Sequence, residues 1–207
     1  MALTKYEELN PMHMDVLKEI GNIGSGNAAT ALSSMLSREV DMHVPVVQVL
    51  DYSDAIEFLG GPENVVVGML VRITGDIEGM IMFILQSSFA ETVINAFFGI
   101  ENPQVTEMDE TQRSAITEIG NIMAGSYVGA ISSLSGMFIN ISVPSLTVDM
   151  VGAILSVPAI EFAAVSDKVL FIDESFVIGN QSIRSNMILI PEIDSLAVML
   201  KRLGVEI

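Results

Sequence analysis

Residues 18–23 read Lys-Glu-Ile-Gly-Asn-Ile, and residues 117–122 read Thr-Glu-Ile-Gly-Asn-Ile. Shifting the chain by 99 positions aligns residues 15–50 with residues 114–149, and 12 of the 36 aligned pairs are identical. A recurring segment is the first sign of a fold built from copies. The chain therefore contains two copies of one unit, about 10–100 and about 109–205, and later segments correspond as well: Met82–Leu85 with Met187–Ile190, and Phe89–Phe98 with Asp194–Leu203.

The pattern within each copy predicts a helix, then strands, then a second helix. Apolar residues at helical spacing predict a first helix over residues 12–36 and its counterpart over 110–135. A single domain over residues 1–207 with a pseudo-two-fold axis is the simplest arrangement, because two copies are too few for a solenoid. We predict an α+β fold in which an antiparallel sheet packs against long helices. The predicted strands are Val40–Val44, Val65–Ile73, Glu78–Leu85, Ile139–Val143, Val169–Ile172, Phe176–Ile178 and Ser185–Ile190.

The composition is that of an acidic globular protein. Half of the 207 residues are hydrophobic and the formal net charge is −17, which argues against nucleic acid and anionic membranes as partners. The absence of cysteine excludes disulfide scaffolds, zinc–thiolate sites and cysteine nucleophiles. The N-terminus shows no apolar signal core, and no run approaches the roughly 18 apolar residues of a membrane span. We therefore expect a cytoplasmic protein.

The first helix of each copy has an apolar stripe and, opposite it, a polar strip. At 100° per residue, the polar positions fall within a narrow sector that faces away from the predicted core. The predicted core stripe is Leu17, Ile20, Gly24, Ala28, Ala31 and Met35 in the first copy, and Ile116, Ile119, Met123, Tyr127, Ala130 and Leu134 in the second. The polar strip is Asp15, Glu19, Asn22 and Gly26 in the first copy, and Ser114, Glu118, Asn121 and Gly125 in the second.

An exposed Glu and Asn are usually no more than a solvated helix face, but here the same string recurs on both helices. Other chemistries fit poorly. The glycines lack the strand and the Lys-Ser/Thr of a phosphate loop, and neither His13 nor His43 has a counterpart in the other copy. A single Glu–Asn pair has too few ligands for a metal site. An Asn can hold a water molecule by donating and accepting hydrogen bonds, and positioning water is much of phosphoryl hydrolysis.

The double motif resembles the signature of the CheC phosphatases of chemotaxis, within the CheC/CheX/FliY superfamily. The resemblance rests on Asp15-x3-Glu19-x2-Asn22-x22-Pro45 and on the same spacing from Ser114 through Glu118 and Asn121 to Pro144. It covers the whole chain. It implies a phosphatase that hydrolyses the aspartyl phosphate of the response regulator CheY.

The resemblance also implies residue roles. Asn22 and Asn121 position the attacking water, whereas Glu19 and Glu118 bind the lysine of the regulator's phosphate site. Asp15 and Ser114 support the motif. No cofactor is bound by this chain in that scheme, because the partner response regulator supplies the Mg²⁺.

A second partner implied by the resemblance is CheD, a chemoreceptor deamidase, for which the expected region is residues 147–162 with Asp149. A simpler explanation of Asp149, as an exposed acid at a strand end, is equally open. The alternative to catalysis is a binding or adaptor protein for phosphorylated CheY, for CheD or for the flagellar switch.

Overall fold

The computed structural model describes residue 3 and residues 5–162, 167–179 and 181–206. Short 3-10 turns at Tyr6–Glu8 and Val105–Glu107 precede the long helices. The helices are α1 (Pro11–Leu36), α2 (Tyr52–Phe58), α3 (Ser87–Phe98), α4 (Glu110–Ser135), α5 (Val151–Glu161) and α6 (Ile193–Arg202). The strands are β1 (Val40–Met42), β2 (Val46–Asp51), β3 (Val65–Gly75), β4 (Gly79–Leu85), β5 (Ile139–Ile141), β6 (Ser145–Met150), β7 (Lys168–Ile178) and β8 (Gln181–Pro191).

The eight described strands form one antiparallel sheet in which the two halves are interleaved. The order is β1-β7-β8-β4-β3-β5, with β2 also pairing with β7 and β6 also pairing with β3. The pseudo-two-fold axis therefore passes between β8 and β4. The short strands of each half pair with the long hairpin of the other half. This arrangement confirms the predicted α+β class, internal duplication and antiparallel sheet.

Helices cover both faces of the sheet. The larger core lies under α1, α3, α4 and α6, and the smaller core lies under α2 and α5. Alternate residues along a strand point to opposite faces, so neighbours on β7 enter different cores: Leu170 and Ile172 the larger one, Val169 and Phe171 the smaller one. Burial on both sides explains why the central strands are apolar runs. No helix in the described ranges is long and apolar enough to cross a bilayer.

The two long helices start at equivalent, capped positions. The Asn10 side chain accepts the backbone N–H of His13, and the Asp109 side chain accepts that of Gln112. In each case the third helical residue returns a bond to the cap, which is a capping box. Each helix runs for 26 residues. The matching starts give the two helices the same register against the sheet.

Two predictions about these elements are wrong in detail. The second copy's strand does not break after residue 172: β7 continues to Ile178, because the Asn186 side chain donates to Asp173 across the pair (2.8 Å) and Glu174 is buried. The stripe of buried residues on each long helix also shifts sideways around the helix. Its last members are four residues apart, and four residues rotate by about 40° more than one full turn. Buried there are Ala28, Leu32 and Leu36, and Tyr127, Ile131 and Ser135, whereas Ala31 and Met35 are half-buried and Leu134 is exposed.

Candidate functional site

The polar strips of α1 and α4 lie on the outer surface of the molecule. Asp15, Glu19 and Asn22 are exposed on α1, and their counterparts Ser114, Glu118 and Asn121 are exposed on α4. Each strip ends at a glycine, Gly26 or Gly125, where an added methyl group would meet nothing within 4 Å. Each strip is thus open to solvent at its glycine and carries an exposed carboxylate and an exposed amide three residues apart.

The Glu and Asn side chains of both strips are free to bind another molecule. Among the described residues, none lies within hydrogen-bonding distance of the side chains of Glu19, Asn22, Glu118 or Asn121. The first residue of each strip, by contrast, is engaged within its own helix. Asp15 pairs with Lys18 (3.0 Å), and the Ser114 hydroxyl donates to the carbonyl of Glu110 (2.9 Å). The supporting roles expected of Asp15 and Ser114 stay predictions.

The glycines on the inner side of the helices are there for packing. A side chain at Gly24 would overlap the ring of Tyr127, and one at Gly120 would overlap the sulfur of Met69. A Cβ at Gly21 would lie 3.2 Å from Val47. A glycine in a helix costs about 1 kcal/mol relative to alanine, and at these three positions close approach to the core accounts for it. Gly26 and Gly125, at the ends of the strips, have no such explanation.

A buried polar cluster lies directly beneath the first strip. The Ser25 hydroxyl is 2.6 Å from the Tyr127 hydroxyl and donates to the Glu174 carboxyl (3.3 Å). Burial raises the pKa of Glu174 to about 8, although hydrogen bonds from Tyr127 and Ser25 act in the opposite direction. Burial also raises the pKa of Tyr127 well above its usual value. Burial thus favours the protonated form of Glu174, and its Oε1 has no partner among the described residues.

This cluster exists in one half only. In the second copy Ala124 stands where Ser25 stands in the first, and in the first copy Ala28 stands where Tyr127 stands in the second. The strand register equates Glu174 with Val71. Sequence reasoning missed the cluster because comparing the copies draws attention to what they share. The available signal was an acidic residue at an inward position of an apolar strand.

The two histidines take no part in the strips. His13 is buried at the start of α1, where its Nδ1 accepts the Asn10 N–H (3.2 Å) and its Nε2 lies 3.0 Å from the carbonyl of Glu206. His43 is exposed after β1. In the described part of the chain, no three His, Asp or Glu side chains are grouped so as to hold a metal ion. A polar groove of about 600 Å³, lined by residues such as Arg38, Glu91 and Gln181, contains none of the strip residues.

Asp149 lies on β6, far along the chain from either strip. Its side chain is exposed and accepts the backbone N–H of Met150 (2.8 Å), at the start of α5. The next residue, Met150, is exposed to solvent, and so are Val157 and Ile160 further along α5. Asp149 is paired with Val66 and lies on the α2/α5 face of the sheet, opposite to α1 and α4.

Comparison with known proteins identifies relatives that match the stretches containing the two strips. The profile of the CheC-like family matches residues 12–49 and 112–148, which are the two repeated stretches. The chain is 33% identical over 195 residues to a Bacillus subtilis protein named CheY-P phosphatase CheC, covering 92% of this chain and 93% of that protein. It is 29% identical over 143 residues to the B. subtilis flagellar motor switch phosphatase FliY, covering 69% of this chain and 37% of that longer protein. The X-ray structure of Thermotoga maritima FliY superposes with a TM-score of 0.76 at 26% identity, covering 95% of this chain and 98% of that one.

Proposed function

The chain belongs to the CheC-like family, and on that premise we propose that it is a cytoplasmic phosphatase that hydrolyses the aspartyl phosphate of phosphorylated CheY. The observation that carries the proposal is the pair of exposed strips, each with a Glu and an Asn that have no partner within the described structure. The scaffold that displays them is rigid, since α1 and α4 are capped and packed on the sheet.

In the proposed mechanism, Asn22 and Asn121 each enter the regulator's phosphorylation site and orient the attacking water. An amide can do this because it both accepts and donates hydrogen bonds and stays neutral. The Asn thereby holds the water in line with the bond to be broken, which lowers the entropic part of the activation barrier. The bare glycine one turn later leaves room for the regulator's surface to approach the helix.

Glu19 and Glu118 are proposed to bind a lysine at the regulator's phosphate site. A carboxylate–ammonium pair fixes the docking geometry, so that the water held by the neighbouring Asn approaches the phosphorus from the correct side. The Mg²⁺ of the reaction belongs to the regulator's site in this proposal. The net charge of −17 attracts a lysine- and Mg²⁺-bearing surface and so raises the association rate.

The catalytic demand on this chain is small. Aspartyl phosphates of receivers hydrolyse by themselves, so an acceleration of 10- to 100-fold requires a barrier lowered by only about 1.4–2.8 kcal/mol. One correctly placed amide can supply that amount. A covalent intermediate on this chain is not needed.

The test is phosphate release from phosphorylated CheY with catalytic amounts of this protein. We expect multiple turnovers, and we expect Asn22→Ala combined with Asn121→Ala to remove the acceleration while the protein remains folded. Asn27→Ala is the matched control, because Asn27 is another exposed amide on α1, outside the strip. A double variant that still accelerates release would contradict the mechanism. Binding without turnover by the wild-type protein would instead show the alternative function, a docking or adaptor protein.

We further propose that CheD binds the α5 surface around Asp149. The exposed Asp149 adjoins the exposed Met150, and α5 itself carries the exposed Val157 and Ile160; protein interfaces commonly combine charge with apolar area in this way. Asp149→Lys should abolish any stimulation of phosphate release by CheD and leave the unstimulated rate unchanged. Glu101→Lys, an equal charge change at an exposed site between α3 and α4, should leave stimulation intact. Stimulation that survives Asp149→Lys would exclude this surface.

A further inference from the structure

An exposed valine stands at the same position in each copy of the internal repeat. Val44 and Val143 occupy the same column of the two copies, and each stands directly before a buried proline. Among the large apolar side chains of the described residues, Val143 is the most exposed at 82%, and Val44 and Ile160 follow at 78%. Both copies of the repeat therefore expose an apolar side chain to solvent at the same position of the unit.

The chain holds each valine firmly in place. The residue before it is tied to the neighbouring long strand, since the His43 N–H donates to the carbonyl of Ser175 and the Ser142 N–H donates to that of Arg72, both at 3.0 Å. The residue after it is a buried proline in both copies. A side chain fixed on both sides can contact a partner with little loss of conformational freedom.

The turn that carries Val44 lies against α1, one residue before Asn22. Pro45 packs against Gly21, where a Cβ would lie 3.7 Å from the proline Cγ. Gly21 precedes Asn22 directly, and successive helical residues are 100° apart, so the turn flanks α1 on the side of Asn22. The repeat places Val143 in the corresponding turn between β5 and β6, beside α4.

We propose that Val44 and Val143 are apolar docking residues for the phosphorylated response regulator, each seated against an apolar side chain next to the regulator's phosphorylation site. This inference rests on the proposed function. Glu and Asn alone give a polar, solvated contact. A buried apolar residue beside them excludes water and adds affinity, in the way that central apolar contacts do in protein interfaces. The valines act on binding and do not touch the reacting atoms.

The alternative explanation is backbone shape, because the residue before a proline favours an extended conformation and β-branched residues suit it. Threonine separates the two explanations. It keeps the β-branch and nearly the same volume but replaces a methyl group with a hydroxyl, which is costly to bury without a hydrogen bond. A purely conformational role would therefore tolerate Val→Thr.

The experiment measures steady-state phosphate release at varied concentrations of phosphorylated regulator. The combined Val44→Thr and Val143→Thr variant should raise KM about tenfold, equivalent to about 1.4 kcal/mol, with kcat within twofold of wild type. Both sites are changed together so that one cannot compensate for the other. Val198→Thr, at an exposed valine on α6 that has no part in either strip, should leave both constants unchanged.

The outcomes are distinct. An unchanged KM in the double variant, with the wild type active, overturns the docking role and leaves the proposed function standing. A fall in kcat at constant KM also overturns it, since that result would place the valines in the chemical step or in the structure. A wild-type protein that neither binds the phosphorylated regulator nor accelerates release overturns the proposed function and the docking role together.

Discussion

Replacing Glu174 with Gln should make the protein's stability less dependent on pH. The unfolded-state pKa of a glutamate is 4.5 and burial raises that of Glu174 to about 8. The folded state therefore holds a proton that the unfolded state releases between these values, and stability present below pH 4.5 is lost as the pH rises towards 8. Gln is neutral and nearly isosteric. Between pH 5.5 and 7.5 the variant should gain about 2.5 kcal/mol relative to wild type, at about 1.36 kcal/mol per pH unit for one proton.

Urea denaturation followed by circular dichroism at the two pH values measures this difference. Titration of the other carboxyl groups cancels when variant and wild type are compared at each pH. Glu57→Gln, which removes an exposed acid from α2, serves as the control and should show a nearly constant difference. If the stability difference between the Glu174→Gln variant and wild type stays within about 0.5 kcal/mol across the range, the carboxyl is ionised in the folded protein and the reasoning from burial is wrong.

Three smaller changes test the packing of the long helices. Gly24→Ala should destabilise the protein by about 1–3 kcal/mol in the same urea assay, because the new methyl group overlaps the ring of Tyr127. Gly26→Ala should instead stabilise it by up to about 1 kcal/mol, since its surroundings are open and alanine favours the helix; a loss of stability there would show an unseen contact. Asp109→Ala should cost about 1 kcal/mol by leaving the Gln112 N–H without its cap, and an unchanged urea midpoint would mean that solvent replaces the cap fully.

Repetition made the long helices predictable, because a shared motif fixed the register of the two copies. Strands β3 and β4 were correctly predicted from the apolar runs Val65–Ile73 and Glu78–Leu85. The exposure of Asn22 and Asn121 follows from helix geometry alone, because the strip is opposite to the apolar stripe. Their proposed roles in catalysis remain predictions.

The features that could not be predicted from the sequence depend on contacts between distant segments of the chain. Strands β2 and β6 were not predicted, since a proline directly precedes each of them and their partners lie in the other half of the chain. The bonding of Ser25 to Glu174 spans 149 positions, and no local pattern encodes it. The polar residues in the middle of β7 are typical of a loop in the sequence. Only their contacts with the partner strand and the overlying helix show that they belong to a strand.

The interleaved sheet links the stability of the two halves of the molecule. The two short strands of each half pair with the hairpin of the other half, so damage to one hairpin also removes the support of the long helix in the other half. A substitution that unfolds either half should therefore disrupt both proposed sites at once, and loss of one proposed site alone requires a substitution on the surface of its helix.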